Sequence, residues 1–205
     1  MTVAYTDMRI CFLGTGGSWP TKRRNSVSIG ITSKRTSILL DCGEGTQRQM
    51  ISSPLSPNKI DAVFITHLHG DHFLGLPGLL QTMSLNDRKD DIEIYGPEGI
   101  EDSLEKAITM CSFLPRFDIK VQVMGEDDVV RKGCFNIRSK MANHRIPALA
   151  FRVFEDERPG RFNKKRAMEL GIPEGRLWGR LQKGHSVTIG DEMDPMTVQP
   201  EMVMG

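Results

Sequence analysis

Long apolar runs are missing from this 205-residue chain. A membrane-spanning helix requires about 20 consecutive apolar residues, and no stretch approaches that length, so a soluble, cytoplasmic protein is expected. Cysteine is sparse as well: Cys11, Cys42, Cys111 and Cys134 lie far apart with no CxxC pair. That spacing argues against a zinc ribbon and a disulfide scaffold, and suits buried thiols in a reducing compartment. The opening "MTVAYTDMRICFLGTG" lacks a basic stretch leading into an apolar signal core. Net charge is only +1, so the overall balance selects no acidic partner. Repeats and low-complexity segments are absent.

What is present is ordinary globular material, 39% hydrophobic and 26% charged. The length suits one large domain, or one domain with an appendage. Charge is unevenly spread, however. Residues 158–185 carry eight Lys/Arg against two Glu, a local excess of six positive charges. A solvated helix and a surface for a polyanion both fit such a block.

The pattern alternates strands with helices. "MRICFLGTG" reads as a strand, "SVSIGIT" and "TSILLDCG" as an antiparallel pair, and "IDAVFIT" as a buried strand. "DIEIYG", "DIKVQVM", "FNIRSKMAN" and "ALAFRVFE" read as further strands. Helices are expected over "GEGTQRQMIS", "GLPGLLQTMSL" and "PEGIEDSLEKAITMCSF", the last with Pro97 near its first turn. This grouping favours a mixed sheet faced by helices. From about Glu155 glycines and prolines punctuate one short basic helix, Asn163 to Leu170, and the segment reads as an extended arm.

"ITHLHGDHFLGLPGLL", residues 65–80, places His67, His69, Asp71 and His72 within six positions. On a helix these four would point in spread directions at about 100° per residue. In an extended loop 67, 69 and 71 share a side, and a turn at Gly70 brings His72 round. Imidazole nitrogen and carboxylate oxygen are ligands for zinc and similar divalent ions. His67 with His69, beside Asp71 with His72, would make a paired site, and two ions about 3.5–4 Å apart are a common device in phosphoryl chemistry.

"HLHGDH" after an apolar strand resembles the HxHxDH signature of the metallo-β-lactamase fold, an α/β αββα sandwich. Within that superfamily the chain resembles ribonuclease Z, the endonuclease that trims the 3′ end of precursor tRNA. The resemblance rests on "FLGTGGSWPTKRRNSVSI", "LLDCGEGTQRQM", "IDAVFITHLHGDHFLGLPGLL", "IEIYGPEGI", "KMANHRIPALAFRVFE" and "PGRFNKKRAMELGIPEGRLWGRLQKGHSVTIGD", nearly the whole chain. It implies a zinc-dependent endoribonuclease that leaves a 3′ hydroxyl on the tRNA. By it, His67, His69 and His144 bind one zinc; read alone, His144 would be structural. Asp71 and His72 serve a second zinc, and Asp71 also accepts the proton of the attacking water. Asp41 is open to two readings, a turn residue or a support beneath a ligand imidazole. Lys164, Lys165 and Arg166, with Arg176 and Arg180, would meet tRNA phosphates through a projecting arm. Where the family's arm carries Gly-Pro, this chain has Gly175-Arg176. Lys22, Arg23 and Arg24 form a second basic spot, either a solvated loop or a contact near the acceptor stem.

The resemblance further implies a homodimer, and a division into 1–154 (the N-terminal part of the metallo-β-lactamase-like domain), 155–190 (the arm) and 191–205 (a return segment). The family's bridging aspartate and late histidine have no match before Gly205; His185 and Asp194 are the only substitutes on offer, and His185 reads as structural. A fragment of a longer enzyme is therefore expected, with the second sheet of the sandwich missing and an inner face exposed. Alternatives are another phosphodiesterase or ester hydrolase of this fold, or a non-catalytic tRNA-binding fragment.

Overall fold

The computed structural model describes residues 8–33, 36–155, 162–190 and 195–204. These fall into two compact units, one ending in the region of residue 155 and one beginning after it.

The first unit is built on β1 (Arg9–Gly14), β2 (Ser28–Ser33) and β3 (Thr36–Leu40), which run antiparallel, followed by α1 (Thr46–Ile51) and β4 (Ala62–Phe64). Next come α2 (Gly70–Phe73), α3 (Gly75–Leu85), β5 (Ile92–Gly96), α4 (Ile100–Met110) and β6 (Ile119–Val123). The six strands form one sheet in the order β1 to β6, parallel from β3 onward. Parallel strands are covered on both faces, and β4, "AVF", is accordingly buried at every residue. Side chains alternate across it. Leu39, Val63 and Ile94 share one core with Leu76, Leu79, Leu80 and Met83 of α3 and with Ile100 and Leu104 of α4. The α3 positions repeat at i, i+3, i+4 and i+7, the spacing of a helical apolar stripe.

Pro97 lies outside α4 rather than in its first turn. Its carbonyl accepts the Ile100 N–H at 3.1 Å, so the proline shapes the approach and the helix starts three residues later. Glu101 and Asp102 occupy the first turn, where carboxylates suit the helix dipole.

The opposite face of the sheet is not bare. A second sheet, β7 (Val129–Lys132), β8 (Phe135–Met141) and β9 (Leu149–Glu155), is antiparallel throughout. Phe135, Ile137 and Leu149 pack there with Ile31, Ile38, Phe64 and Tyr95. Phe64 stacks on Tyr95 at 4.7 Å between ring centroids and meets Phe151 edge-on at 5.6 Å. The expected exposure of this inner face is thus corrected: residues 129–155 already supply a sheet that covers it. β7 is hard to see in the sequence because "VVRK" offers only four residues before Gly133. Cysteine burial needs a correction too, since Cys42 is buried but Cys111 is exposed. Burial pushes the Cys42 thiol up to about 12, which makes it inert at neutral pH.

The second unit contains α5 (Lys164–Glu169), α6 (Arg176–Gln182), β10 (Val187–Ile189) and β11 (Met196–Val198), the last two pairing antiparallel. In place of the expected single helix on an extended arm there are two helices around a small core of Ala167, Ile172, Trp178, Leu181, Val187, Val198 and Val203. The Trp178 indole donates to the Ile172 carbonyl at 3.0 Å and tilts against Phe162 at 5.3 Å. Asn163 caps α5, its side chain accepting the Arg166 N–H at 2.9 Å. Gly175 precedes α6 at φ 131°, a conformation that favours glycine, and Arg176 fills the first helical position where proline is expected. Residues 196–198, expected in a return segment, complete this hairpin.

Candidate metal centre

The site is assembled at the carboxyl end of β4. Ile65 continues the strand, its N–H reaching the Tyr95 carbonyl at 2.7 Å. His67 then bridges to Ala148, and Leu149 donates to the Thr66 carbonyl at 2.8 Å. This pairing ties the histidine loop to the segment that carries His144, so residues 75 positions apart in sequence come together: His144 Nε2 stands 3.3 Å from His69 Nδ1. Ligand nitrogens of His67, His69 and His144 all lie within 4.8 Å of one another.

The loop geometry differs from the expected one. Residues 67–69 are extended, but Gly70 opens α2, a single helical turn with His69 at its N-cap, His72 N–H bonding back to the His69 carbonyl at 3.0 Å. Asp71 and His72 therefore sit on a turn of helix, and they face each other instead of joining the three imidazoles: Asp71 Oδ2 is 3.5 Å from His72 Nε2. The His67 and His72 rings, 4.1 Å apart, connect the two groups.

Beneath them lies Asp41, buried and held at φ 56°, a left-handed conformation uncommon outside glycine. Its N–H bonds to the Phe64 carbonyl at 2.8 Å, and its own carbonyl accepts from Ser28 Oγ at 3.0 Å. Its carboxylate accepts the Thr66 N–H at 2.7 Å and the Thr66 hydroxyl at 2.9 Å, and it meets His72 Nδ1 at 2.7 Å. Tautomers follow from this network. The Nδ1–H of His72 donates to Asp41, leaving the lone pair of Nε2 toward Asp71. Thr66 gives its one hydroxyl proton to Asp41, so its 2.9 Å contact with His67 Nδ1 makes that nitrogen the donor. The Nε2 lone pair of His67 is then available. Of the two readings of Asp41, support beneath a ligand imidazole is the one its contacts favour.

Electrostatics follow the same division. Burial, with the neighbouring His72 charge, holds the His67 pKa below its ordinary value even though Asp41 opposes the shift. For His72 burial also works downward, but the hydrogen bond and charge of Asp41, with the charge of Asp71, prevail and raise it. Burial works upward on Asp71; the Ser18 N–H, at 2.7 Å from Oδ2, and His72 outweigh it and hold the carboxyl below its usual range. Imidazole nitrogens and one ionised carboxylate are a donor set that suits a borderline divalent ion such as zinc.

Two glycines permit this packing. A Cβ at Gly43 would fall 2.2 Å from the Asp71 carbonyl oxygen, and one at Gly75 would fall 1.9 Å from that of Gly43. Sequence reasoning does not find Thr66 or Ser18. The "THLH" context hints at the threonine, whereas Ser18 acts through its backbone N–H and leaves no side-chain signal.

The cations singled out in the sequence are shared between the two units. Lys164, Lys165, Arg176 and Arg180 belong to the second unit, and Arg166 pairs there with Glu169 at 3.2 Å. His185 is exposed in that unit, while Asp194, Arg158 and Arg161 lie outside the described residues. Lys22, Arg23 and Arg24, with Arg48 and Phe12, line a cleft of about 780 Å³ in the first unit.

A family model described as the anti-Pycsar protein Apyc1 matches residues 8–110, just over half of the chain. Ribonuclease Z of Methanosarcina acetivorans is 41% identical over 198 residues, which cover 97% of this chain and 64% of that protein. Ribonuclease Z of Nitrosopumilus maritimus is 39% identical over 97% of this chain and 65% of its own length. The chain thus spans just under two thirds of the curated relatives it matches. Among solved structures, the short form of human tRNase Z superposes with a TM-score of 0.65 at 34% identity, covering 73% of this chain and 66% of that one. YhfI of Bacillus subtilis, a metallo-β-lactamase fold protein, gives 0.62 at 19% identity over 80% of this chain and 67% of its own, a likeness of fold. With its histidine cluster at the carboxyl end of β4, the chain belongs to the family that this model describes, within the metallo-β-lactamase fold, and is a homologue of the ribonucleases Z.

Proposed function

We propose that this chain carries the metal-holding part and the RNA-gripping arm of a zinc-dependent endoribonuclease that removes the 3′ trailer of precursor tRNA and leaves a 3′ hydroxyl on the tRNA. One observation carries the reading: three imidazoles within 4.8 Å stand beside an ionised carboxylate in a homologue of ribonuclease Z. His67, His69 and His144 would hold one ion, and Asp71 with His72 would face a second. Bound divalent ions supply Lewis acidity and lower the pKa of a bound water. Asp71, kept ionised and pinned by the Ser18 N–H, orients the attacking water and accepts its proton. Asp41 and Thr66 hold the imidazoles of His72 and His67 in the tautomers that leave Nε2 free.

In the proposed division, residues 1–154 bear the metals, 155–190 form the arm and 191–205 return from it. Lys164, Lys165, Arg166, Arg176 and Arg180 meet phosphates without reading bases, which suits an enzyme that accepts many tRNAs. Lys22, Arg23 and Arg24 contact RNA near the acceptor stem. Self-association as a homodimer and a cytoplasmic location complete the proposal. Among the described residues no helix is long and apolar enough to cross a membrane.

A second reading, hydrolysis of a smaller phosphodiester, is favoured by the family match ending at residue 110, before the arm. Cleavage of precursor tRNA with zinc, compared with Asp71→Ala, tests the first. A drop of about 100- to 10,000-fold is expected on removal of a general base; undiminished cutting would end the assignment of Asp71. Deleting residues 158–185 should abolish tRNA cleavage and spare a model phosphodiester, whereas equal activity on tRNA would favour the second reading.

A further inference from the structure

Trp19 is 71% exposed, an unusual setting for the largest apolar side chain in a protein. It directly follows Ser18, whose N–H holds Asp71 Oδ2 at 2.7 Å. Its backbone is fixed: Ser18 adopts φ 59°, the Trp19 N–H closes a tight turn onto the Gly17 carbonyl at 2.7 Å, and Gly16 bonds to the Asn25 carbonyl at 2.8 Å. On its other side the chain enters the basic cleft, where Lys22, Arg23, Arg24 and Arg48 lie with the exposed ring of Phe12. The cleft's loop is itself braced, Thr21 Oγ1 accepting from the Arg24 N–H at 3.0 Å and Asn25 Nδ2 donating to the Glu44 carbonyl at 2.7 Å.

An aromatic residue held on braced backbone, next in the chain to the contact with Asp71 on one side and to a row of cations on the other, has the composition of a platform for single-stranded nucleic acid. Most of the Trp19 side chain faces solvent, so its ring is open to a partner. We infer that Trp19 stacks on an unpaired nucleobase next to the phosphodiester presented to Asp71. The ring sets the distance of the scissile linkage from the carboxylate, because the same short backbone segment carries both contacts. Stacking tolerates any base, so the platform positions the strand without selecting its sequence. This inference rests on the ribonuclease reading and adds to it a positioning contact in the single-stranded part of the substrate.

Tryptophan fluorescence of the full chain tests it, using an acceptor-stem RNA with a single-stranded 3′ tail. The chain has two tryptophans, and Trp178 is buried, so it gives a common background. Stacking should quench wild-type emission, and Trp19→Phe should abolish that response. Trp19→Leu should bind the RNA about tenfold or more weakly, with Trp19→Phe in between. The same RNA with abasic residues at the stem–tail junction should bind all three proteins equally. Equal affinity of the three for the intact RNA would overturn the stacking contact, even if cleavage proceeds normally. RNA that fails to bind any of them would overturn the stacking contact and the ribonuclease reading together.

Discussion

The histidine loop and the basic unit handle charge in opposite ways. Around the candidate metal centre His67, His72 and Asp71 are braced: Asp41 holds Thr66 and His72, Thr66 holds His67, and Ser18 holds Asp71. In the second unit Lys164, Lys165, Arg176 and Arg180 stand on two short helices. Chemistry at a metal requires lone pairs aimed within fractions of an ångström. Attraction to phosphate requires only that cations be present on a surface of stable shape. Precision in one region therefore comes from hydrogen bonds to the side chains, and in the other from the packing underneath.

The comparison can be broken from the packing side first. Leu181 is fully buried in the small core of the second unit. Leu181→Ala should destabilise that unit by about 2–5 kcal/mol, seen as early exchange of amides in residues 162–190 while the first unit stays protected. Simultaneous exchange in both units would show that they do not melt separately.

Next comes the brace. Asp41→Asn keeps the shape but removes the charge under His72, so zinc affinity should fall about 10- to 100-fold. In metal-free protein the His72 pKa should also drop, since burial alone works downward. An unchanged value in an NMR titration would remove Asp41 from the account.

A pH series then separates His72 from His67. In the metal-free protein His72 has a raised pKa and His67 a lowered one, so on acidification His72 takes its proton before His67. In the metal-free fold the signs oppose each other. The contribution of His72 is complete below the ordinary histidine value and disappears as pH rises through its raised pKa. His67, which the unfolded chain protonates more readily, costs stability as pH falls below that ordinary value. An NMR titration of the metal-free protein from about pH 8 to pH 5, the range in which histidine titrates, checks the order, and His67 protonating before His72 would reverse it.

Removing charge from the surface should have the smallest effect. Lys164→Ala with Lys165→Ala should weaken tRNA binding modestly and lower the salt slope by about 1 for each phosphate that is no longer neutralised. A slope that stays the same would place the phosphate-binding cations elsewhere.

Much of the fold and the site is legible in the sequence, for identifiable reasons. Leu76, Leu79, Leu80 and Met83 announce α3 by spacing, and "HLHGDH" announces a metal by its density of ligands. "VVRK" and "GRLWGRLQ" do not announce β7 and α6, because four residues carry too little period and the glycines on either side of Trp178 mask a helix. Of the sheet that covers Phe64 and Tyr95, β8 and β9 are legible in the sequence, whereas β7 and the packing of all three over that face are visible only in the folded chain.

Local composition by itself determined which residue types could meet a divalent ion, since donor chemistry belongs to the side chain. Only the tertiary structure decided which of them meet. His144 reaches His69 because the β9 segment pairs with residues 66–67, Asp41 reaches His72 through a left-handed bend, and Ser18 contributes a backbone N–H of the kind every residue but proline possesses. Distance between lone pairs is a property of the folded backbone, and no pattern of letters along the chain encodes it directly.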